Sequence, residues 1–454
     1  MQISRILHAG YVFESEGMQI AFDPIFENPF SGNCFAYPNV HFDISAIGAL
    51  RLRAVFISHF HDDHLSFHSL KHLSRDTPIY LFCIHPEIFD WIRKLGFSEV
   101  HSLVLNEAVR LESFVVTPRR ALDHDVDSIF HIEANGVHVL NVVDSWIDDE
   151  VLALLAKTSW DLVLWPFQTM RELEVLAPTR AQPATPQLPE EWILQLRKLK
   201  PKRIVASSCQ FIHESWSWYN RALFPVSYTH FRTEIESEIP GVEVIRLNPS
   251  QSFNLTGQGL SVAPALSWVH LMGKQDVDYE YDPSAIPTPT SEIAMRFPPL
   301  SLDQKNQVSE FCRLGIIQKF RELELLEEGY FSKARRWRLS TFDHQGELEQ
   351  YYYSLIGEKM SLIEGCDETD LSWCTELPAA KLYAALKAGE SLASMYVRIN
   401  NMTFAPQIEG DLADADLLED PLIRCLFNRE FGSYQAAQLK EILQLENRLE
   451  KHGL

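Results

Sequence analysis

The sequence predicts an α/β domain over residues 1–255, a linker or wrapping segment over 256–300, and a mainly α-helical C-terminal region over 301–454. Three observations carry this reading. In the first part, short runs rich in branched residues, such as "LRAVFIS" and "WDLVLWPF", alternate with stretches of helical spacing. The segment "YDPSAIPTPTSEIAMRFPPL" is dense in proline and polar residues, the composition of a connection. Beyond it, "SLDQKNQVSEFCRLGIIQKFRELELLEEGY" reads as a long helix. "YQAAQLKEILQLENRLEKH" reads as an amphipathic one, with Leu439, Ile442 and Leu449 on one face.

Taken in order, "ISRILHAGYVFESEGMQIAFDP" gives two or three strands with a turn at Glu16–Gly17, closed by Asp23–Pro24. "LRAVFIS" is a buried strand, and "LSFHSLKHLS" has helical spacing with Leu65, Leu70 and Leu73 on one side. "PIYLFC" is a strand. "PEIFDWIRKLGF" is a helix that Pro86 opens and Gly96 closes. "HIEANGVHVLNVVD" is a hairpin, because Asn135–Gly136 is a two-residue turn signal between alternating runs. "WDLVLWPF" is one more buried strand, and "PEEWILQLRKLKPKRIVASS" is a helix followed by a strand. No internal repeat is visible.

Composition excludes several classes of function. The 454 residues are 46% apolar and carry a net charge of −22, which argues against nucleic acid or an anionic membrane as partner, since either needs a basic footprint. No apolar run reaches the length of a membrane span, and the start "MQISRILHAG" lacks a secretory pattern. Seven scattered cysteines without a CxxC fit a reduced, cytoplasmic protein.

The chemistry is concentrated in "FISHFHDDHLS". His59, His61, Asp63 and His64 follow the pattern HxHxDH directly after a buried strand. Residues two apart on an extended segment point the same way, so His59 and His61 can aim two imidazoles at one ion. Asp63 and His64 lie on the bend, within reach of a second ion. Imidazole and carboxylate suit zinc, iron or manganese. Further donors are expected from later strands. His124 lies before the hairpin, where Asp123, Asp125 and Asp127 are alternatives, and Asp144 ends the hairpin's second strand, where a bridging carboxylate belongs. The expected centre is therefore His59, His61 and His124 on one metal, Asp63 and His64 on the other, and Asp144 on both. Asp63 and Asp144 are the candidate catalytic residues. His131 and His138, on the hairpin strands, read as packing or surface residues. His68 and His72 read as an exposed helix face.

The run Asp23–Pro24, HxHxDH, His124, Asp144 resembles the metallo-β-lactamase superfamily over about residues 1–255. The resemblance implies a four-layer αββα sandwich with the metals at one edge. Within it, "FISHFHDDHLSFHSLKHL", "DHDVDSIFHIEANGVHVLNVVDS" and "LKPKRIVASSCQFIHES" are similar to the non-Rieske part of the CMP-N-acetylneuraminate hydroxylase family. "AKLYAALKAGESLASMYVRINNMTF" is similar to that family's C-terminal part. Two departures stand out. The family's Rieske domain needs Cys-x-His and Cys-x-x-His pairs; here Cys83-Ile84-His85 is a lone Cys-x-His inside the sandwich. Many superfamily hydrolases also take a last histidine from the strand that corresponds to "RIVASSCQF", where this chain has Ser207, Ser208 and Cys209. His213 is the nearest substitute, and the second metal is expected to be under-ligated. His8 and Asp23 lie near the metal edge in the superfamily pattern, with orienting and packing roles both open. Trp216, Trp218 and Tyr219 read as core ahead of a substrate pocket.

Three functions compete on this reading. The first is an iron-dependent oxygenase or hydroxylase of a small molecule, with electrons from a separate electron-transfer protein. The second is a dinuclear zinc or manganese hydrolase of an ester, lactone, amide or phosphodiester, in which the metals lower the pKa of a bound water. The third is a binding protein with a structural metal, which the two metal positions disfavour. The C-terminal region is expected to cap the metal edge or to mediate a homodimer.

Overall fold

The computed structural model describes residues 1–122, 127–178, 185–323, 330–399, 419–427 and 433–452. The chain divides into two compact units. One comprises Met1–Met170, Ala184–Asp282 and Gln438–Leu454, and the other Arg171–Pro183 and Pro283–Ala437.

The first unit is built on two mixed sheets. A tight turn joins two neighbouring strands in each sheet. Glu16–Gly17 and Asn135–Gly136, the two hairpin signals, both have left-handed φ at each central residue (53° and 78°, 52° and 73°), as primed turns require. The eight-stranded sheet runs in the order Gly259–Ala263, Ser252–Thr256, Gln2–Arg5, Tyr11–Ser15, Met18–Phe22, Ala54–Ile57, Ile79–Leu81, Val100–Ser102. It is antiparallel as far as Met18–Phe22 and parallel beyond. The seven-stranded sheet runs Glu243–Ile245, Arg203–Ala206, Leu162–Trp165, Val137–Asn141, Ser128–Ala134, Val115–Arg120, Val109–Arg110. It too changes from parallel to antiparallel, at Val137–Asn141.

One apolar core joins the inner faces of these sheets. Phe13, Phe22 and Phe56 come from the first and Phe130, Ile132, Val139 and Leu164 from the second, all fully buried. Phe22 is the hub, with ring centroids 5.2 Å from Phe13, 5.2 Å from Phe56 and 5.0 Å from Phe130. Helices such as Pro86–Lys94 and Glu190–Leu199 occupy the connections and bury one stripe each (Ile88, Phe89 and Ile92; Trp192, Ile193, Leu196 and Leu199).

The consequence for function is geometric. The strands Met18–Phe22, Ala54–Ile57, Val137–Asn141 and Arg203–Ala206 end at the same edge, and Asp23, His59, Asp144 and Ser207 follow them there. Ligands of open α/β sheets bind outside the carboxyl ends of the strands for this reason. The C-terminal helix Ser433–His452 also contributes. Gln438 Oε1 accepts the Phe67 N–H at 2.7 Å, at the start of the short helix Phe67–Leu70 that follows the HxHxDH loop.

Two features add detail to the expected domains. Between 256 and 282, Gly259–Ala263 forms the edge strand of the first sheet and Val269–Leu271 pairs with Val40–Phe42. Strands of five and three residues are too short to show a periodic run. The described part of 301–454 is mainly helical and also holds a five-stranded sheet, with the helix Ala379–Ala388 between two of its strands. Its order is Lys359–Ile363, Leu348–Ile356, Arg335–Phe342, Trp373–Pro378, Arg398–Ile399. Arginine, serine and tyrosine in place of branched apolar residues masked the period-two signal of "RRWRLSTF" and "LEQYYYSLI". Its core is the stacked pair Trp337–Tyr353 at 4.7 Å, and Trp373 Nε1–H donates to Asp420 Oδ2 at 2.7 Å.

Phe130 joins the two sheets, so Phe130→Ala is expected to cost about 3–5 kcal/mol, the range for emptying a large aromatic site. The urea midpoint should fall with the m-value unchanged.

Candidate metal centre

The HxHxDH loop leaves the parallel strand Ala54–Ile57 and is pinned at once. Asp23 is fully buried, at φ 39° after its own strand. Its Oδ1 accepts the Ser58 N–H at 2.7 Å, and its Oδ2 accepts Ser58 Oγ at 2.7 Å and faces His64 Nδ1 at 3.0 Å. The far nitrogen of His64 is thereby turned outwards. His64 Nε2 stands 2.9 Å from Asp144 Oδ2, 3.6 Å from Asp63 Oδ2 and 3.3 Å from His8 Nε2.

His8 is the donor that sequence reasoning left undecided. It sits at φ 46° in the tight turn after Gln2–Arg5, where Ile6 N–H bonds to Gly10 O at 2.8 Å. Gly10 is required there, since a Cβ would meet Asp23 O at 2.9 Å. His8 Nδ1 accepts the Cys209 N–H at 3.0 Å, which directs Nε2 to Asp63 Oδ2 at 3.1 Å. One ligand atom each from His8, Asp63, His64 and Asp144 falls within a 4.8 Å cluster. His8, whose orienting or packing role the sequence leaves open, thus joins Asp63, His64 and Asp144 in one cluster of candidate donors. His213 does not substitute, as it packs among Phe211, Tyr219 and Phe224. Nor do Trp218 and Tyr219 line an open pocket; both are buried.

His59 and His61 form the other half. His59 Nε2 and His61 Nδ1 are 2.9 Å apart, and the His59 and His64 rings are 4.1 Å apart at their centroids. His59 Nδ1 is held by Ser58 Oγ at 2.9 Å. Asp127 Oδ1 lies 3.7 Å from His59 Nδ1, while Asp127 Oδ2 accepts Ser145 Oγ–H at 2.9 Å. Asp127 was one of the alternatives to His124, and His124 itself lies outside the described residues. The structure thus brings together His59, His61, Asp63, His64 and Asp144, and adds His8 and Asp127.

The electrostatics suit a cation. Burial, then His64, pushes His59 down to about 4, and burial, then His59, pushes His61 to the same value, so both rings keep a free lone pair at neutral pH. Burial also opposes charge on His64, but Asp144 and Asp63 outweigh it and drive the group up. Burial and Asp63 raise Asp62 to about 7, and burial and Asp144 raise Asp127 to about 6. These shifts record crowded carboxylates with too few positive charges between them. Asp127 Oδ1 and Asp62 Oδ2 are buried without a hydrogen-bond partner. Orphaned carboxylate oxygens beside neutral imidazoles are what a metal ion would satisfy, and the all-nitrogen-and-oxygen donor set fits iron, zinc or manganese.

Arg5 frames the centre. It is fully buried. Its guanidinium donates to Ala206 O at 2.7 Å and Leu247 O at 3.3 Å, and also to His8 O and Ser207 O. Four residues sit at left-handed φ around the edge: His8, Asp23, Val143 and Cys209, the last two at 62°. Non-glycine residues persist there only when their surroundings fix them. Cys209 contributes its backbone, and burial pushes its thiol up, away from a thiolate ligand.

No family model matches the chain. Among curated proteins, two described as candidate Rieske 2Fe-2S iron–sulfur proteins from Mycobacterium tuberculosis strains are 29% identical over 101 residues, 21% of this chain and 19% of theirs. The match thus spans about a fifth of the length of these relatives. Among solved structures, the chain is similar to an isothiocyanate hydrolase from Delia radicum gut bacteria (15% identity, 56% of this chain and 99% of that one, TM-score 0.41). It is similar to CmlA, a diiron β-hydroxylase from Streptomyces venezuelae (15%, 54% and 53%, TM-score 0.37). It is also similar to a metallo-β-lactamase fold protein from Bacillus subtilis (14%, 55% and 97%, TM-score 0.37).

Two outcomes are expected. His8→Ala should remove one ion per chain, read by elemental analysis, because the turn supplies one of four donors; unchanged stoichiometry would exclude His8 from the set. Burial lowers His213 from 6.5 to about 3, with the Asn33 backbone opposing. A histidine neutral in the fold and protonated when unfolded contributes stability that is complete above about 6.5 and lost as pH falls towards 3. Urea titrations between pH 7 and 4 should therefore show a shallower loss of stability in His213→Leu than in the parent.

Proposed function

We propose that the chain is a metal-dependent enzyme of the metallo-β-lactamase fold, with its two sheets and their helices as a four-layer αββα sandwich. In this reading it hydroxylates a small molecule with dioxygen at an iron centre. The observation that carries the reading is the donor set itself: His8, His59, His61, His64, Asp63, Asp127 and Asp144, seven nitrogen and oxygen donors at one sheet edge. Asp144 belongs between the two halves, since it bonds His64 and acts electrostatically on His59 and His61. A purely structural site would not need seven donors, nor two partly exposed carboxylates at its rim.

Iron bound there would supply dioxygen chemistry. The chain's residues hold and orient it. Asp23 fixes the direction of His64, Ser58 fixes His59, the Cys209 N–H fixes His8, and Ser145 fixes Asp127. Asp63 and Asp144 are about one-quarter exposed and form the rim that a substrate would meet. Hydroxylation releases one oxygen atom as water and so needs two electrons and two protons from outside the substrate. The similarity of one segment to Rieske-named proteins and the likeness to the hydroxylase family support a separate electron-transfer protein as their source.

One observation favours a second reading, hydrolysis by two zinc or manganese ions. Among these 454 residues there is no Cys-x-x-His to complete an iron–sulfur ligand set. Hydrolysis needs no electron relay.

Elemental analysis of protein purified without added metal separates the two. Iron, with substrate-dependent oxygen uptake in the presence of a reductant, supports the oxygenase. Two zincs with turnover of an ester, lactone or phosphodiester overturns it. In either case His61→Ala is expected to lose bound metal and at least about a hundredfold in activity, with circular dichroism and urea midpoint retained.

A further inference from the structure

The hairpin that delivers Asp127 and Asp144 carries another group of donors at its opposite end. His131 and Glu133 lie two apart on Ser128–Ala134 and so share one face. His138, on Val137–Asn141, is the direct cross-strand partner of Glu133. His131 Nε2 and His138 Nδ1 are 3.0 Å apart, and one ligand atom from each of the three residues falls within 4.8 Å of the others. Two nitrogens bound to one tetrahedral zinc at ~2.0–2.1 Å stand roughly 3.3 Å apart, so the pair needs only a slight opening to admit an ion.

We infer that His131, Glu133 and His138 form a second metal site, separate from the candidate centre, that takes a zinc-class divalent ion. Two imidazoles and one carboxylate are a ligand set of open zinc sites, in which water fills the remaining position. All three residues are half-buried, which leaves an entry path while removing part of their hydration. The His131 ring is set edge-on to Trp160, centroids 4.7 Å apart, so its direction is fixed by packing before any ion arrives. The neighbouring cation, Arg119, bonds to Asn106 Oδ1 at 3.0 Å, and Glu133 supplies the opposing charge.

The site is distinct from the first. The hairpin turns at Asn135–Gly136, next to Glu133 and His138, whereas Asp127 and Asp144 flank its open end. At a rise of about 3.3 Å per residue, the four to six residues between the clusters separate them by on the order of 15 Å, too far for one ion to serve both. An ion at the tip would clamp the two strands that present Asp127 and Asp144.

The test is zinc binding by equilibrium dialysis, on the full chain stripped with a chelator. It compares the parent, His138→Gln and Glu133→Gln, each also in a His61→Ala, His64→Ala background. The expected result is one zinc per chain fewer in both hairpin variants, in both backgrounds. Zinc should also raise the Tm of the background protein by several degrees, and not that of its hairpin variants. Should His138→Gln fail to fold in chelator, Glu133→Gln, which keeps the side-chain shape, carries the comparison. Equal zinc content in parent and hairpin variants would overturn the site and leave His131 and His138 as a pair sharing one proton. A decrement seen only with the candidate centre intact would overturn it as well, since the hairpin would then act on that centre and hold no ion of its own.

Discussion

Everything at the metal edge depends on one buried guanidinium. Arg5 is enclosed with the carbonyl oxygens of His8, Ala206, Ser207 and Leu247 around it, and Tyr11 faces it at 5.3 Å. A buried charge is costly unless its donors are satisfied. The chain meets that cost with carbonyls drawn from the first turn and from residues some two hundred positions later. In doing so it fixes the distance between two sheets at the place where chemistry is expected. The Cys209 N–H can reach His8 because Arg5 has already brought Ser207 beside the first turn.

The second constraint is charge. Asp23, Asp62, Asp63, Asp127 and Asp144 converge at the edge with buried histidines between them. Without a cation, some carboxyls must retain protons while His64 gains one. That arrangement is a poor way to stabilise a fold, since apolar residues of similar volume would pack at lower cost. It is understandable as a site whose missing positive charge comes from a metal, and the left-handed backbone at His8, Asp23, Val143 and Cys209 shows the same preference for position over local comfort.

Much of this is legible in the amino-acid sequence alone. HxHxDH after a buried strand, Asp144 at a strand end and the Asn135–Gly136 turn are local signals, written in neighbouring residues. His8 was not legible as a donor. Its role depends on a hydrogen bond from Cys209 and on contact with Asp63, neither of which is near it in sequence. Asp127 could be named only as one of several acidic neighbours, because a segment before a hairpin has no period to say which side chain points inwards. The five-stranded sheet of the second unit was missed for a similar reason. Its strands carry arginine and tyrosine where valine and isoleucine would have announced them. The two short strands between 256 and 282 are hidden because five and three paired residues leave little pattern to count.

The helix after the metal loop takes part of its cap from Gln438, 371 positions further along the chain. A nascent chain leaves the ribosome residue by residue, so the loop's histidines emerge long before the group that secures the helix behind them. Arg5 likewise waits for Leu247. During synthesis the chain therefore carries these donors before the groups that hold their loop and turn in place have been made.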